Sequence, residues 1–166
     1  MKDRSIRRVA LGGLLAAATV LLTTLVAIPI PGGLGYINLG DAGVLTAAFL
    51  LGGPWGALCG GAASAISDLL LGYGMYAPAT FVIKGGMALL FTLCGRTMPQ
   101  KLRPAAFFLA ALTVPVGYYL YETLLYGAAA AAPNVLFNLV QGWIGAGVAL
   151  LLCKICEKSA WGRHRA

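Results

Sequence analysis

All twelve lysines and arginines except Lys84 fall in three clusters, and the sequence between the clusters is nearly free of charge. Lys2, Arg4, Arg7 and Arg8 open the chain, Arg96, Lys101 and Arg103 divide it, and Lys154, Lys158, Arg163 and Arg165 close it. Between the clusters run apolar stretches at 9–28, 77–93, 104–125 and 135–153, each about the ~20 residues a membrane-spanning helix needs. At 60% hydrophobic and 10% charged residues, with mean hydropathy +0.85, the chain lies far from the composition of a soluble domain.

Residues 41–71 are apolar as well, but Gly52-Gly53-Pro54 splits them. Proline belongs in the first turn of a helix, and the glycine pair permits a tight turn before it. The pattern predicts a short helix over 41–51, about 17 Å long at ~1.5 Å per residue, and a second over 54–71. The segments 29–40, 72–76 and 126–133 hold no Lys or Arg. The positive-inside rule then puts the three basic clusters in the cytoplasm and the three neutral segments outside. The expectation is a single all-α domain over 1–166: a polytopic, multi-pass protein of the cell membrane with six transmembrane helices and both termini cytoplasmic. The first apolar run exceeds the about 7–15 residues of a signal-peptide core, so it reads as a retained helix. The tail 157–166 reads as a topology determinant in contact with lipid headgroups. The net charge of +7 calls for no nucleic acid.

Several chemistries find no machinery. The single histidine, His164, lies in the tail, so no Ser–His or Cys–His pair forms within the membrane. No G-x-x-x-x-G-K-[ST] loop is present, which excludes nucleotide hydrolysis by that route. Cys153-x-x-Cys156 stands without the further ligands a zinc site needs. Cysteines of this kind read as apolar fillers. The expectation is a protein that is not an enzyme and takes no cofactor or metal.

The exceptions to the charge pattern are the informative residues. Asp41, Asp68, Lys84 and Glu122 are ionisable groups inside apolar sequence, and each costs at least ~2.5 kcal/mol at a helix centre. All four fall within roughly 10–12 Å of the outer surface, counted along their helices. Asn134, Asn138 and Gln141, spaced by four and three, share one face of the last helix. All seven tyrosines lie near the outer end or in outer segments, where an interfacial belt and a stacking surface for a flat ligand are both possible. Two readings stand: an interhelical polar clamp, with Lys84 neutralising Asp68 or Glu122, or a pocket for a small polar ligand. In the pocket reading Lys84 sits between Asp68 and Glu122. Asn38, Asp41, Asn138 and Gln141 supply directional hydrogen bonds there, and Tyr76 and Tyr126 cover the ring.

The run Tyr36-Ile-Asn-Leu-Gly-Asp41 is followed by Gly60-Gly-Ala-Ala-Ser-Ala-Ile-Ser-Asp-Leu-Leu-Leu-Gly-Tyr73 and then by Tyr76-Ala-Pro-Ala-Thr-Phe-Val-Ile-Lys-Gly85. With Tyr118-Tyr-Leu-Tyr-Glu-Thr-Leu-Leu-Tyr-Gly127 and Asn138-Leu-Val-Gln-Gly142, this ordered set resembles the substrate-binding S component of energy-coupling-factor (ECF) vitamin transporters. The likeness covers roughly 36–149 and lies with the riboflavin-transporter-like branch that includes hydroxymethylpyrimidine and pyridoxine carriers. It implies capture of a vitamin or vitamin precursor from outside. Pyridoxine or hydroxymethylpyrimidine is favoured, and riboflavin is possible. It also implies a membrane coupling subunit and two cytoplasmic ATPase subunits as partners, in keeping with the missing P-loop. Small residues on the first helix, Gly12, Gly13, Ala16 and Ala17, are the expected docking face for the coupling subunit, with glycine where the family usually has alanine. Gly56-x-x-x-Gly60 and Gly142-x-x-x-Ala146 are expected to serve internal packing. Two rivals are a self-sufficient ion-coupled carrier using Asp68 or Glu122 and an intramembrane enzyme using paired carboxylates.

Overall fold

Glycine and proline cut the apolar sequence into rods. The computed structural model describes residues 2–30 and 35–158; Trp161, Arg163, His164 and Arg165 of the tail lie outside the described residues. In chain order the elements are α1 (Lys2–Leu25), β1 (Ile28–Pro29), β2 (Tyr36–Ile37), α2 (Gly40–Leu51), α3 (Gly53–Leu70) and α4 (Ala77–Thr97). A 3-10 turn (Gln100–Leu102) leads to α5 (Arg103–Ala111), α6 (Thr113–Tyr126) and α7 (Ala128–Lys158). The architecture is all-helical apart from one pairing the sequence did not announce: β1 and β2 form a two-residue antiparallel ladder, Ile28 opposite Ile37 and Pro29 opposite Tyr36.

The split at Gly52 falls where the glycine–proline signal put it. Gly52 has φ +85° and joins α2 to α3 directly, with Pro54 in the first turn of α3; a left-handed φ at a single-residue joint favours glycine. At Leu112 the break between α5 and α6 is slight, and 100–126 still forms one apolar rod. Pro115 explains it, because proline has no N–H to donate to the carbonyl of Ala111.

One expected loop is instead helix. The segment 126–133 is helical save for Gly127, since α7 begins at Ala128 and runs through Pro133. The reason is the run of alanines at 128–132, the strongest helix former, which outweighs the proline. Asn134 therefore closes the second turn of α7, and Asn138 and Gln141 lie deeper along it.

Four rods among the described residues are long and apolar enough to cross a bilayer: Ser5–Leu25, Ala77–Thr97, Gln100–Tyr126 and Ala128–Glu157. The other two rods, α2 and α3, are of a different kind. α2 is only 12 residues long, and every residue but Phe49 is buried. α3 has 18 residues, and four glycines, two serines and Asp68 dilute its apolar content. α2 touches α1, α3, α4 and α7, and its approach to the neighbours is close. A Cβ added to Gly56 would meet the Ala48 Cα at 2.4 Å, and one at Gly145 the Asp41 Cβ at 2.6 Å. The expected packing roles of Gly56, Gly60, Gly142 and Ala146 hold, for all four sit against neighbouring helices. Val44, Leu45, Met87, Phe91, Phe107 and Val114, with alanines from α2, α4, α5 and α7, form the apolar core.

Candidate functional site

The helices bring the buried polar residues together at the end carrying the neutral segments, here the neutral end. Asp41 comes from the first turn of α2, Asp68 from the last turn of α3, Lys84 from the second turn of α4 and Glu122 from the last turns of α6. Each is at most 3% exposed. Asn38 precedes α2, and Asn134, Asn138 and Gln141 follow one face of α7; all four are buried.

The pairing differs from the expected one. Lys84 does not ion-pair with Asp68 or Glu122; its Nζ donates to Asp41 Oδ1 in a fully buried salt bridge. The reason lies in the close passage of α2 through the bundle, which brings Asp41 in front of α4. Gln141 Nε2 donates to the other carboxylate oxygen, Asp41 Oδ2, at 3.0 Å. Gln141 Oε1 in turn accepts from the backbone N–H of Asn38 at 3.0 Å, and Asn38 Oδ1 accepts from the Gly40 N–H at 2.8 Å. Asn38, Asp41, Lys84 and Gln141 thus form one closed network tying α2 to α4 and α7. A buried charge is tolerated when it is paired and hydrogen-bonded, as Asp41 is on both carboxylate oxygens.

Asp68 and Glu122 are held by neutral partners. The Tyr36 hydroxyl donates to Asp68 Oδ1 at 2.7 Å, and Asn134 Nδ2 donates to Glu122 Oε2 at 3.0 Å. Burial, and next the charge of Asp68, push the Tyr36 phenol well above its ordinary pKa, so it stays protonated and donates. No hydrogen bond of ordinary geometry reaches Asp68 Oδ2 or Ser64 Oγ, although both are buried.

These residues surround a narrow cleft with about 30 Å³ of room. Asp68, Lys84, Glu122, Asn138 and Ser64 line it, with Asn38, Tyr76 and Gln141. Of the expected site residues, Asp41 stands behind Lys84 and Gln141, fully buried. Tyr126 does not line the cleft: it is 43% exposed and its hydroxyl reaches Met75 Sδ at 3.3 Å. Its place is taken by tyrosines that the sequence reading did not single out. Tyr36 and Tyr73 pack with their rings tilted at 44° and 4.9 Å between centroids, and Tyr76 adjoins Tyr73 and Tyr118, each at 6.3 Å. The Tyr118 ring lies 5.5 Å from Lys84 Nζ, and its hydroxyl shares a 2.8 Å hydrogen bond with Thr80. The signal that could have found them is their position: Tyr36 and Tyr73 lie in the segments beside Asp41 and Asp68, and Tyr118 lies one turn before Glu122.

The expected docking stripe on α1 is divided by the structure. Gly12 and Ala16 are half-buried, and the Cys59 thiol donates to the Gly12 carbonyl at 3.0 Å. Gly13 and Ala17 are exposed.

Apolar rods able to cross a bilayer enclose a polar cleft at one end, the architecture of a polytopic membrane protein. The chain belongs to the ECF-type riboflavin transporter S component family, whose family model matches residues 3–158. It is 32% identical over 160 residues to the thiamine precursor transporter HmpT of Lactococcus lactis, covering 96% of this chain and 93% of that protein. It is also 33% identical over 143 residues to an uncharacterized protein of Pyrococcus woesei, covering 82% of this chain and 95% of the other. The family is one of transporter subunits rather than enzymes, and the chain is a multi-pass membrane protein of that kind.

Proposed function

We propose that the chain captures a thiamine precursor of the hydroxymethylpyrimidine type at the outer face of the cell membrane and carries it inward as the substrate-specific subunit of an ECF-type transporter. The observation that carries this reading is the division of labour among the buried polar groups. Both carboxylate oxygens of Asp41 are spent on Lys84 and Gln141, whereas Asp68 Oδ2, Ser64 Oγ and the Asn138 amide line the cleft without spending their hydrogen bonds on one another. Asp68 and Glu122 suit a ligand that brings N–H donors, such as an aminopyrimidine, and the tyrosine rings suit its flat face. The printed name of the Lactococcus relative supports a thiamine precursor over pyridoxine or riboflavin. Tyr36 and Tyr73 must part to admit any of them.

In this reading the neutral end faces outside, the basic clusters face the cytoplasm, and six rods span the membrane. α2 crosses by being packed inside the bundle rather than by its own hydropathy, and α3 turns a polar, glycine-rich face inward while Trp55, Leu58, Ile66, Leu69 and Leu70 face outward. A coupling subunit docks on the exposed Gly13 and Ala17 side of α1, and two ATPase subunits supply the energy. Mass spectrometry of small molecules that co-purify with the chain names the ligand; a converted product in its place supports an enzyme, and proton-dependent uptake by the chain alone supports an ion-coupled carrier. Asn138→Ala is expected to weaken binding by roughly five- to a hundred-fold, the cost of about 1–3 kcal/mol for a missing buried amide partner. Unchanged affinity in both Asn138→Ala and Glu122→Gln removes the ligand from this cleft. Cysteine-accessibility labelling checks the orientation: Gly127→Cys and Arg96→Cys react from opposite sides.

A further inference from the structure

A second cavity, of about 470 Å³, opens at the opposite, basic end between α2, α4, α5 and α7. It follows from the shortness of α2. Twelve residues reach only about 18 Å, against ~30 Å of hydrocarbon, and the Gly52 joint that turns the chain back lines the cavity. The walls are apolar: Phe49 and Leu150 line it, as do Phe91 and Phe107, whose rings pack at 4.5 Å between centroids. Arg96, Arg103 and Lys154 line it too, with Glu157 the one acid among the lining residues. These cations come from three helix ends, and two stand one turn beyond an apolar wall residue, Arg103 from Phe107 and Lys154 from Leu150. None of the three makes an ion pair among the described residues.

The occupant that such a cavity fits is apolar at one end and anionic at the other. We infer that it binds an anionic phospholipid, its phosphate against Arg96, Arg103 and Lys154 and an acyl chain along Phe49, Phe107 and Leu150. Arginine forks match phosphate oxygens in pairs, and basic hollows between membrane helices on the positively charged side recognise anionic headgroups. This site is separate from the polar cleft and does not depend on the ligand proposed for it.

The test is native mass spectrometry of the full chain released from nanodiscs of phosphatidylglycerol mixed with phosphatidylcholine. One phosphatidylglycerol per chain is expected to be retained in preference to phosphatidylcholine. Replacing all three cations (Arg96→Gln, Arg103→Gln, Lys154→Gln) is expected to weaken retention on the order of a hundredfold, each cation near an anionic headgroup counting roughly fivefold. Gly95→Leu keeps every charge and fills the cavity instead. A Cβ at Gly95 meets nothing within 4 Å, so the variant is expected to keep its thermal midpoint while retention falls roughly tenfold. Retention that survives Gly95→Leu overturns the cavity as the site and leaves only surface attraction. Displacement of the lipid by millimolar inorganic phosphate makes a free anion the occupant and overturns the proposal. So does a result in which both variants keep their lipid but fail to assemble with the ATPase-bearing partners, since the face is then a protein contact.

Discussion

α1 and α2 are adjacent, apolar and similar in residue types, yet they live in opposite surroundings. Of α2, every residue but Phe49 is buried; of the apolar window of α1, 11% is buried. α1 is gripped at its neutral-end half, where Thr19 and Thr23 pack against α2 at no more than 2% exposure. Its other half carries Ile6, Val9 and Leu14, each more than half exposed. In water those side chains would be a liability, but in lipid they cost nothing. Helix association there rests on close packing and polar contacts instead of on apolar burial. α2 therefore holds the bundle together through a charge network and glycine contacts, while α1 is free to offer a face.

The largest effect expected from this contrast is at the buried pair. Asp41→Ala strands the Lys84 ammonium at 2% exposure and removes an acceptor from Gln141. Breaking one side of a buried pair costs about 3–5 kcal/mol, seen as a large drop in the midpoint of thermal unfolding in detergent. Changing both residues, Asp41→Ala with Lys84→Met, recovers most of the loss, because an apolar replacement for a buried pair is often close to neutral. A loss below ~1 kcal/mol in the single variant breaks the comparison, for α2 would then not be the keystone of the bundle.

A smaller effect is expected where α3 touches α2. Gly56→Ala sets a methyl group 2.4 Å from the Ala48 Cα, and backbone, unlike a flexible side chain, must move as a whole. Overpacking of this kind costs about 1–3 kcal/mol. Gly13→Ala on α1 is the matched control, since its Cβ meets nothing within 4 Å; alanine there is expected to leave stability level or raise it by up to about 1 kcal/mol. Equal losses in the two variants erase the difference between the helices.

How much of this was legible beforehand depends on the kind of information each feature needs. Charge clusters and apolar runs are one-dimensional, so the rods and the joint at Gly52 could be read from them. Depth along a helix is also one-dimensional, which is why Asp68, Lys84, Glu122 and Asn138 could be gathered at one end. Pairing is not. That Lys84 meets Asp41 depends on how α2 crosses α4, and a helix of 12 residues carries no periodic pattern strong enough to fix that crossing. Tyr36, Tyr73 and Tyr118 could be seen at the right end, but a membrane belt and a ligand wall use the same residue. The helical segment 128–132 was hidden by Pro133, and the β1–β2 ladder is too short to show an alternation.

The smallest expected effect on stability is the most informative for transport. Gly13→Leu adds a bulky side chain at an exposed position of α1, where an added Cβ meets nothing within 4 Å. Stability is expected to change by no more than about 0.5 kcal/mol, and ligand affinity to stay level, because α1 contributes only Thr23 to the cleft. Uptake in membranes that also hold the coupling and ATPase subunits is expected to be abolished, since a small-residue contact works by letting backbones approach. Ala17→Leu is expected to behave alike, one turn away on the same face. Gly12→Leu behaves differently: a Cβ there already lies 3.9 Å from Leu51 Cδ1, so the larger side chain disturbs the contact with α2 and lowers stability before it reaches any partner. Three outcomes then separate three assignments. Uptake lost with binding and stability intact puts the partner on the Gly13 and Ala17 face. Binding lost along with uptake makes that face part of the internal packing, against its exposure. Uptake preserved in both Gly13→Leu and Ala17→Leu moves the partner off α1, and the exposed half of that helix is then only a surface for lipid.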